Sequence, residues 1–148
     1  MSARAKAYTP ASRRAIAAVV FAGCTILLGV AAWLEPSPSG LGTHMQLHLP
    51  PCGWIAVADL PCPTCGMTTA FAHAANGNLL QSFLAQPLGC ILAISAAMIW
   101  LISIQVMMTG SRLGGAVARL WSRHVAWALA FALVAAWGYT IARHKGWL

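Results

Sequence analysis

The sequence predicts an all-α integral membrane protein with about three transmembrane helices and a short amphipathic or re-entrant helical insertion between the first and second. Composition indicates the membrane class, because 59% of the 148 residues are hydrophobic and 7% are charged, whereas soluble domains carry roughly a quarter charged residues. Three apolar runs approach the ~20 residues that a spanning helix needs. A stretch rich in proline, glycine and cysteine follows the first run and predicts the insertion.

The first apolar run, residues 15–34, contains no charged residue and predicts the first span. A cleaved signal peptide is the competing interpretation, but the run is long for one and ends in a poor cleavage site. Four basic residues lie in the tail 1–14 that precedes the run. We therefore expect a basic tail followed by a single membrane domain over residues 15–148.

Two histidines precede the first cysteine of the loop after this span. His44, His48 and Cys52 follow one another at steps of four, which on a helix would place three metal ligands on one face. Two prolines between His48 and Cys52 interrupt such a helix. We therefore favour two loop histidines over a helical metal site.

A second motif places two cysteines three residues apart, Cys62-Pro63-Thr64-Cys65-Gly66. Pro63 suits the first position of a helix, because the N–H that proline lacks would be unpaired there. We therefore expect a helix over residues 63–76, with Cys62 as its N-cap and Cys65 in its first turn. The positive end of the helix dipole then favours the thiolate at both positions.

The expected helix would carry several polar side chains along one side, at steps of three or four residues. These are Cys62, Cys65, Thr69, His73 and Asn76. The sequence Asn76-Gly77-Asn78 predicts its end. Apolar and polar residues then alternate with helical spacing over 79–86, which predicts a short amphipathic helix at the outer leaflet.

Pro87 predicts the start of the second span, residues 88–108. The third span is expected over residues 125–142, with Trp127, Trp137 and Tyr139 as anchors at the membrane interface.

The basic residues predict the orientation of the chain. No lysine or arginine occurs between Arg14 and Arg112, and loops rich in these residues stay in the cytoplasm. The N-terminus is therefore expected in the cytoplasm, and the loop 35–86, with Cys52, Cys62 and Cys65, in an oxidising compartment where disulfides persist. Because the basic residues flank apolar segments and form no single patch, nucleic-acid binding is not expected.

The chain resembles a family of small bacterial membrane proteins known as domain of unknown function 2752. The family pattern reads Cys-Pro-x-Cys-Gly-x-Thr-Arg-Ala, then Gly-Asp/Asn-hydrophobic, then Asn-Pro-Leu, often with another cysteine about ten residues earlier. The matching residues are Cys52, Cys62, Pro63, Cys65, Gly66, Thr68, Gly77, Asn78 and Pro87. Thr69 stands where the pattern has arginine, and Gln86 where it has asparagine. The resemblance covers residues 50–108 and implies a multi-pass protein of the bacterial inner membrane, without implying an activity.

Three interpretations of the motif remain open, and the leading one is structural. Cys62 and Cys65, with Pro63 and Gly66, would fix the insertion of a small structural or accessory subunit in a membrane assembly. Its partners would be the lipid bilayer and other membrane proteins or a second copy of the chain. The sequence offers no support for catalysis, because no general base is paired with a nucleophile, and it leaves the question open.

The first alternative is a membrane thiol–disulfide redox protein that uses Cys62 and Cys65, with Cys52 as a further partner. The second alternative is a zinc or copper(I) site. Its candidate ligands are Cys52, Cys62, Cys65, His44, His48 and His73. No sequence feature separates the three interpretations.

Overall fold

The computed structural model describes residues 9–111 and 123–146, and every regular element in these ranges is helical. Two long helices, α1 (Pro10–Trp33) and α5 (Pro87–Thr109), enclose a segment of short helices, and a third long helix, α6 (Arg123–His144), follows. The short elements are a 3-10 helix (Thr43–Leu47), α2 (Gly53–Ala58), α3 (Met67–Ala75) and α4 (Leu79–Ala85).

Three of these helices, α1, α5 and α6, are long and apolar enough to cross a membrane, with mean hydropathies of 2.4, 2.2 and 1.8. Large apolar side chains are exposed along them, among them Val19, Ile26 and Phe131, as expected for surfaces that face lipid. The predicted all-helical membrane fold is confirmed. The first helix begins at Pro10, five residues before the predicted span, because Thr9 accepts a hydrogen bond from the amide of Ser12 and caps it.

Helices α1 and α5 pack against each other through an aromatic pair and a polar contact. The rings of Phe21 and Trp100 stack with centroids 5.7 Å apart, and the Trp100 indole N–H donates to the Thr25 hydroxyl over 2.8 Å. At one end of the pair, Arg13 donates to the carbonyl of Gly110. The start of α1 therefore lies beside the end of α5, and the insertion lies at the opposite end.

The insertion packs against α5 because small residues permit a close approach. A Cβ atom added to Gly89 would lie 2.8 Å from the Cβ of Ala70 in α3, so only glycine fits there. The Ser82 hydroxyl of α4 donates to the carbonyl of Ala70 over 2.7 Å. The predicted end of α3 is confirmed, since Asn76 caps it and Gly77 has a positive φ of 80°. The predicted helices over 79–86 and from Pro87 are confirmed as α4 and α5.

The end of α6 contacts the insertion through polar groups. Tyr139 donates to the carbonyl of Leu84 over 3.0 Å, and Arg143 donates to the same oxygen. Asp59, after α2, pairs with His144 at 3.3 Å and with Lys145 at 3.1 Å. The end of α6 therefore lies on the same side as the loop that carries the cysteines, although Arg143 and Lys145 are basic.

Candidate functional site

The two motif cysteines lie in a turn that precedes α3, so the prediction of a helix from Pro63 is wrong. The amide of Cys65 donates to the carbonyl of Cys62 over 3.0 Å, and the amide of Met67 donates to that of Thr64. Gly66 then adopts a left-handed φ of 86° and caps α3, which starts at Met67. A helix cannot continue through that conformation, so Cys62 is not its N-cap and Cys65 is outside its first turn.

Tertiary packing fixes the conformation of Gly66. A Cβ atom at this position would lie 3.1 Å from the carbonyl oxygen of Gly40 and 3.2 Å from that of Ala85. The Gly40 carbonyl belongs to the loop after α1 and the Ala85 carbonyl to the end of α4, and both lie against the turn. The turn is therefore held between two separate segments, with its cysteines facing Cys52.

Three thiols form a cluster at this turn. The Sγ atoms of Cys52, Cys62 and Cys65 all lie within 4.8 Å of one another, and this is the one such group of potential metal ligands in residues 9–111 and 123–146. Cys62 Sγ and Cys65 Sγ are 3.0 Å apart. All five cysteines of the chain lie in the described ranges and all are free thiols. Cys52 therefore lies beside the two motif cysteines, although α2 separates it from them in the sequence.

The thiols of the cluster differ in their protonation. Burial raises the pKa of Cys65, and the neighbouring thiols of Cys62 and Cys52 raise it further. The prediction from the sequence that Cys65 is a thiolate is therefore wrong. At Cys52 partial burial raises the pKa, but the amides of Ile55 and Trp54 and the two other thiols outweigh it and lower the pKa to about 7. The cluster thus combines one readily ionised thiol with one that holds its proton.

The three candidate histidines lie outside this group of ligand atoms. His44 is in the 3-10 helix, where its Nε2 lies 3.3 Å from the carbonyl oxygen of Pro50, and His48 caps that helix with a left-handed φ of 58°. His73 is in α3, where its Nδ1 is buried without a hydrogen-bond partner. Burial lowers the pKa of His73, so the neutral ring is favoured.

Two buried polar residues make side-chain hydrogen bonds within the insertion, and one of these bonds reaches the turn. The side-chain amide of Gln86 donates to the carbonyl of Pro63 over 3.0 Å, and no part of Gln86 is exposed. The hydroxyl of Thr69 lies 2.8 Å from that of Thr43, and both residues are buried. The sequence offered no signal for Thr43, since an isolated threonine in a loop is ordinarily solvated.

A tryptophan of α6 contacts both segments that carry the thiols. The indole N–H of Trp137 donates to the carbonyl of Pro61, next to Cys62, over 2.9 Å. Its ring also meets that of Trp54 edge to face, with centroids 6.0 Å apart. Trp54 follows Cys52 by two residues. Trp137 therefore links the Cys52 segment to the Cys62 segment, a role beyond the interface anchor expected from the sequence.

A cavity of about 930 Å³ lies between the last turns of α1 and the insertion, and the three thiols line one part of it. Most of its other lining residues are apolar, with Leu27, Val30 and Leu34 supplied by α1. A few polar side chains also line it, including His44, Thr64 and Thr68. The site is therefore a thiol cluster at the edge of an apolar chamber.

The turn, α2 to α4 and most of α5 form the part of the chain that other proteins share. Residues 52–100 match the family model described as protein of unknown function (DUF2752). No curated protein and no solved structure matches the chain. The resemblance predicted from the sequence is confirmed, and the DUF2752 segment contains all three clustered cysteines.

The DUF2752 segment contains the thiol cluster but only part of its surroundings. The match begins at Cys52, the first cysteine of the cluster, and ends within α5. All of α1, which supplies one wall of the cavity, precedes the segment, and α6 follows it. The shared segment is thus the thiol cluster with its supporting helices, and the two flanking helices complete the surroundings.

Proposed function

We propose that the protein is a membrane thiol–disulfide redox protein in which Cys62 and Cys65 form a reversible disulfide and Cys52 is the third, exchanging thiol. The observation that carries the proposal is the 3.0 Å separation of Cys62 Sγ and Cys65 Sγ within a cluster of three free thiols. Two sulfur atoms at this distance need to approach by about 1 Å to reach the ~2.05 Å of a disulfide bond.

The same distance favours a disulfide over a metal site. Two thiolates on one tetrahedral zinc ion, each with a Zn–S bond of about 2.3 Å, lie roughly 3.8 Å apart. Cys62 and Cys65 are closer than this. A fourth zinc ligand is also needed, and no histidine in the described parts of the chain joins the three thiols. Zinc and copper(I) are therefore tested below as alternative outcomes.

The backbone amides of Ile55 and Trp54, which lower the pKa of Cys52 and do not depend on the other thiols, give the exchange a direction. In the oxidised form, Cys62 and Cys65 share a disulfide and Cys52 is the remaining thiol. Its thiolate attacks Cys65 Sγ, a Cys52–Cys65 bond forms, and the Cys62–Cys65 bond breaks, so that Cys62 leaves as the thiolate. No electron is gained or lost in this step. A partner with two thiols can then reduce the Cys52–Cys65 bond: one partner thiolate forms a mixed disulfide with Cys52 and releases Cys65, and the second closes the partner's own disulfide and releases Cys52.

The proposed redox function also implies an orientation of the chain in the membrane. We propose that the N-terminus is cytoplasmic in a bacterial inner membrane and that the cluster faces the oxidising side, where a disulfide persists. The N-terminal end of α1 lies beside Gly110, and the end of α6 lies beside Asp59. These contacts support a three-span arrangement with the ends on opposite sides. The structural or accessory role expected from the sequence stays a prediction.

The test is a thiol map at defined redox potential. Native membranes are equilibrated with graded ratios of reduced and oxidised glutathione, quenched with acid and alkylated with one reagent before reduction and a second after it. We expect peptide mapping to show a Cys62–Cys65 disulfide that forms and disappears reversibly, while Cys24 and Cys90 do not respond. Three thiols that remain reduced at every ratio would exclude the redox function. In parallel membranes alkylated without the acid quench, labelling that requires a chelator would instead establish a metal site, with elemental analysis to identify the ion.

A further inference from the structure

The cavity beside the cluster differs from a soluble substrate site in both its walls and its position. One wall consists of apolar side chains from the last two turns of α1, including Leu27 and Val30, and α1 is long and apolar enough to span a membrane. The wall supplied by α1 therefore suits an apolar molecule that is dissolved in the bilayer. The volume of about 930 Å³ lies within the roughly 300–1,000 Å³ typical of small-molecule sites.

The thiol cluster needs an electron acceptor if it is to be oxidised more than once. Formation of the Cys62–Cys65 disulfide releases two electrons and two protons. Cys24 and Cys90, the other cysteines of the chain, do not join the cluster. A relay through further thiols of the described chain is thus not available, and the acceptor has to approach the cluster. The cavity is the space that the thiols line.

We propose that this cavity binds a membrane quinone, which accepts the electrons of the thiol cluster. The inference rests on the proposed redox function and names its oxidant. In the net step the S–H bonds of Cys62 and Cys65 break, one S–S bond forms, and the quinone takes up two electrons and two protons to become the quinol. An apolar tail matches the wall supplied by α1, and the quinone oxygens need a few hydrogen-bond donors.

Such donors lie in the same lining as the cysteines. Thr64, Thr68 and His44 all line the cavity, and each of these side chains has a group that can donate a hydrogen bond. Thr64 is also next to the cluster, with its Oγ1 3.3 Å from Cys62 Sγ. A quinone ring oriented by these groups would lie beside the thiols, with its tail along α1. An acyl chain of a lipid would fit the apolar wall, but it would use neither the donors nor the thiols.

The test uses purified full-length protein, reduced and freed of reductant, mixed with decylubiquinone in detergent micelles. Quinone absorbance and intact mass after alkylation are followed together. We expect one quinol for every two thiols lost and no added mass from the quinone. Val30→Trp narrows the cavity from α1, where Val30 is 37% exposed, and should slow quinol formation about tenfold, the equivalent of ~1.4 kcal/mol. Ile26→Trp, on the same helix but outside the lining, is the matched control and should react like the wild type.

A second oxidant separates this inference from the function on which it rests. Oxidised glutathione, a water-soluble disulfide, should oxidise the wild type and both variants alike. Oxidation by that reagent without any reduction of decylubiquinone would overturn the quinone proposal and leave the redox function standing. Oxidation by neither would overturn both. Equal quinone rates in Val30→Trp and the wild type, or a covalent quinone adduct in place of the disulfide, would also overturn the quinone proposal. The melting temperatures of the two tryptophan variants verify that both are folded.

Discussion

The side-chain amide of Gln86 donates a hydrogen bond to the carbonyl of Pro63, 3.0 Å away, from a position with no exposure to solvent. Gln86 ends α4 and precedes the first residue of α5, while Pro63 lies between the two motif cysteines. The start of a membrane-spanning helix is thereby tied to the thiol turn. The shape of the cluster therefore depends on a residue distant from it in sequence.

Loss of this bond should destabilise the turn. We expect Gln86→Ala to lower the free energy of unfolding by about 1–3 kcal/mol, because it leaves the Pro63 carbonyl buried without its partner. The exposed Gln81→Ala on the neighbouring α4 is the control and should stay within about 0.5 kcal/mol of the wild type. Thermal unfolding in detergent measures both. Equal melting temperatures would show that the bond contributes nothing.

Trp137 is expected to act as a positioning residue for the cluster. Trp137→Phe keeps an aromatic ring against Trp54 but removes the N–H that donates to Pro61. We expect Cys52 to exchange with the Cys62–Cys65 disulfide more slowly, while the melting temperature falls by only a few degrees. The measurement is the rate at which the Cys52–Cys65 disulfide-linked peptides appear after the reductant has been removed. Trp127→Phe, at a tryptophan that is 73% exposed, should leave that rate unchanged, and an equal slowing in both variants would refute the assignment.

The hydroxyls of Thr69 and Thr43 form a hydrogen-bonded pair in the interior of the insertion. The contribution of this hydrogen bond to stability can be measured separately from that of side-chain packing. Thr69→Val preserves the shape of the side chain and removes the oxygen that lies 2.8 Å from the Thr43 hydroxyl. We expect a loss of about 1–3 kcal/mol in the free energy of unfolding, since the Thr43 hydroxyl loses its side-chain partner. The half-buried neighbour Thr68→Val is the control. A smaller loss in Thr69→Val than in the control would contradict the pair's contribution to stability.

The helical elements could be predicted because their signals are local. Hydropathy over about 20 residues identified the spans, and the start at Pro87 and the end at Gly77 follow from the backbone preferences of those two residues. The turn at Cys62–Gly66 could not be predicted in this way. Pro63 favours a helix start on its own, but the carbonyls of Gly40 and Ala85 hold Gly66 in a conformation that excludes one.

The site was predicted in part. The sequence placed Cys52, Cys62 and Cys65 among the candidate residues, yet their mutual distances depend on contacts such as that of Trp137 with Pro61. The cavity could not be predicted from the sequence, because Val30 in its wall and Ile26 outside it are both apolar residues of one helix. Periodicity identifies an apolar face but does not say whether lipid or protein covers it.

The contacts at the start of α1 and at the end of α6 predict which positions a membrane-impermeant reagent can label. In a background with serine at all five native cysteines, we introduce single cysteines at the exposed positions Ala11, Gln81 and Lys145. We expect a membrane-impermeant maleimide to label positions 81 and 145 in intact cells and position 11 only after permeabilisation. Labelling of 81 and 145 from opposite sides would contradict the packing of α6 against Asp59. Reversal of all three would contradict the proposed orientation alone.

The ionisation of Cys52 should be visible in its reactivity. Only the thiolate reacts with iodoacetamide, so a pKa of about 7 predicts a rate in fully reduced protein that reaches roughly one tenth of its plateau at pH 6, half at pH 7 and nine tenths at pH 8. The rate rises with pH because deprotonation creates the reactive form.

The thiols that surround Cys52 contribute to this shift, and a single variant isolates their part. Cys65→Ala removes a thiol that hydrogen-bonds to the thiolate of Cys52, so the thiolate loses stabilisation and the pKa should rise toward the ~8.5 of a free cysteine. The whole profile would then move to higher pH with an unchanged plateau. Cys90→Ala, at a buried cysteine outside the cluster, should leave the profile in place. A wild-type midpoint already near pH 8.5 would show that the cluster does not activate Cys52, and the direction assigned to the exchange step would then be wrong.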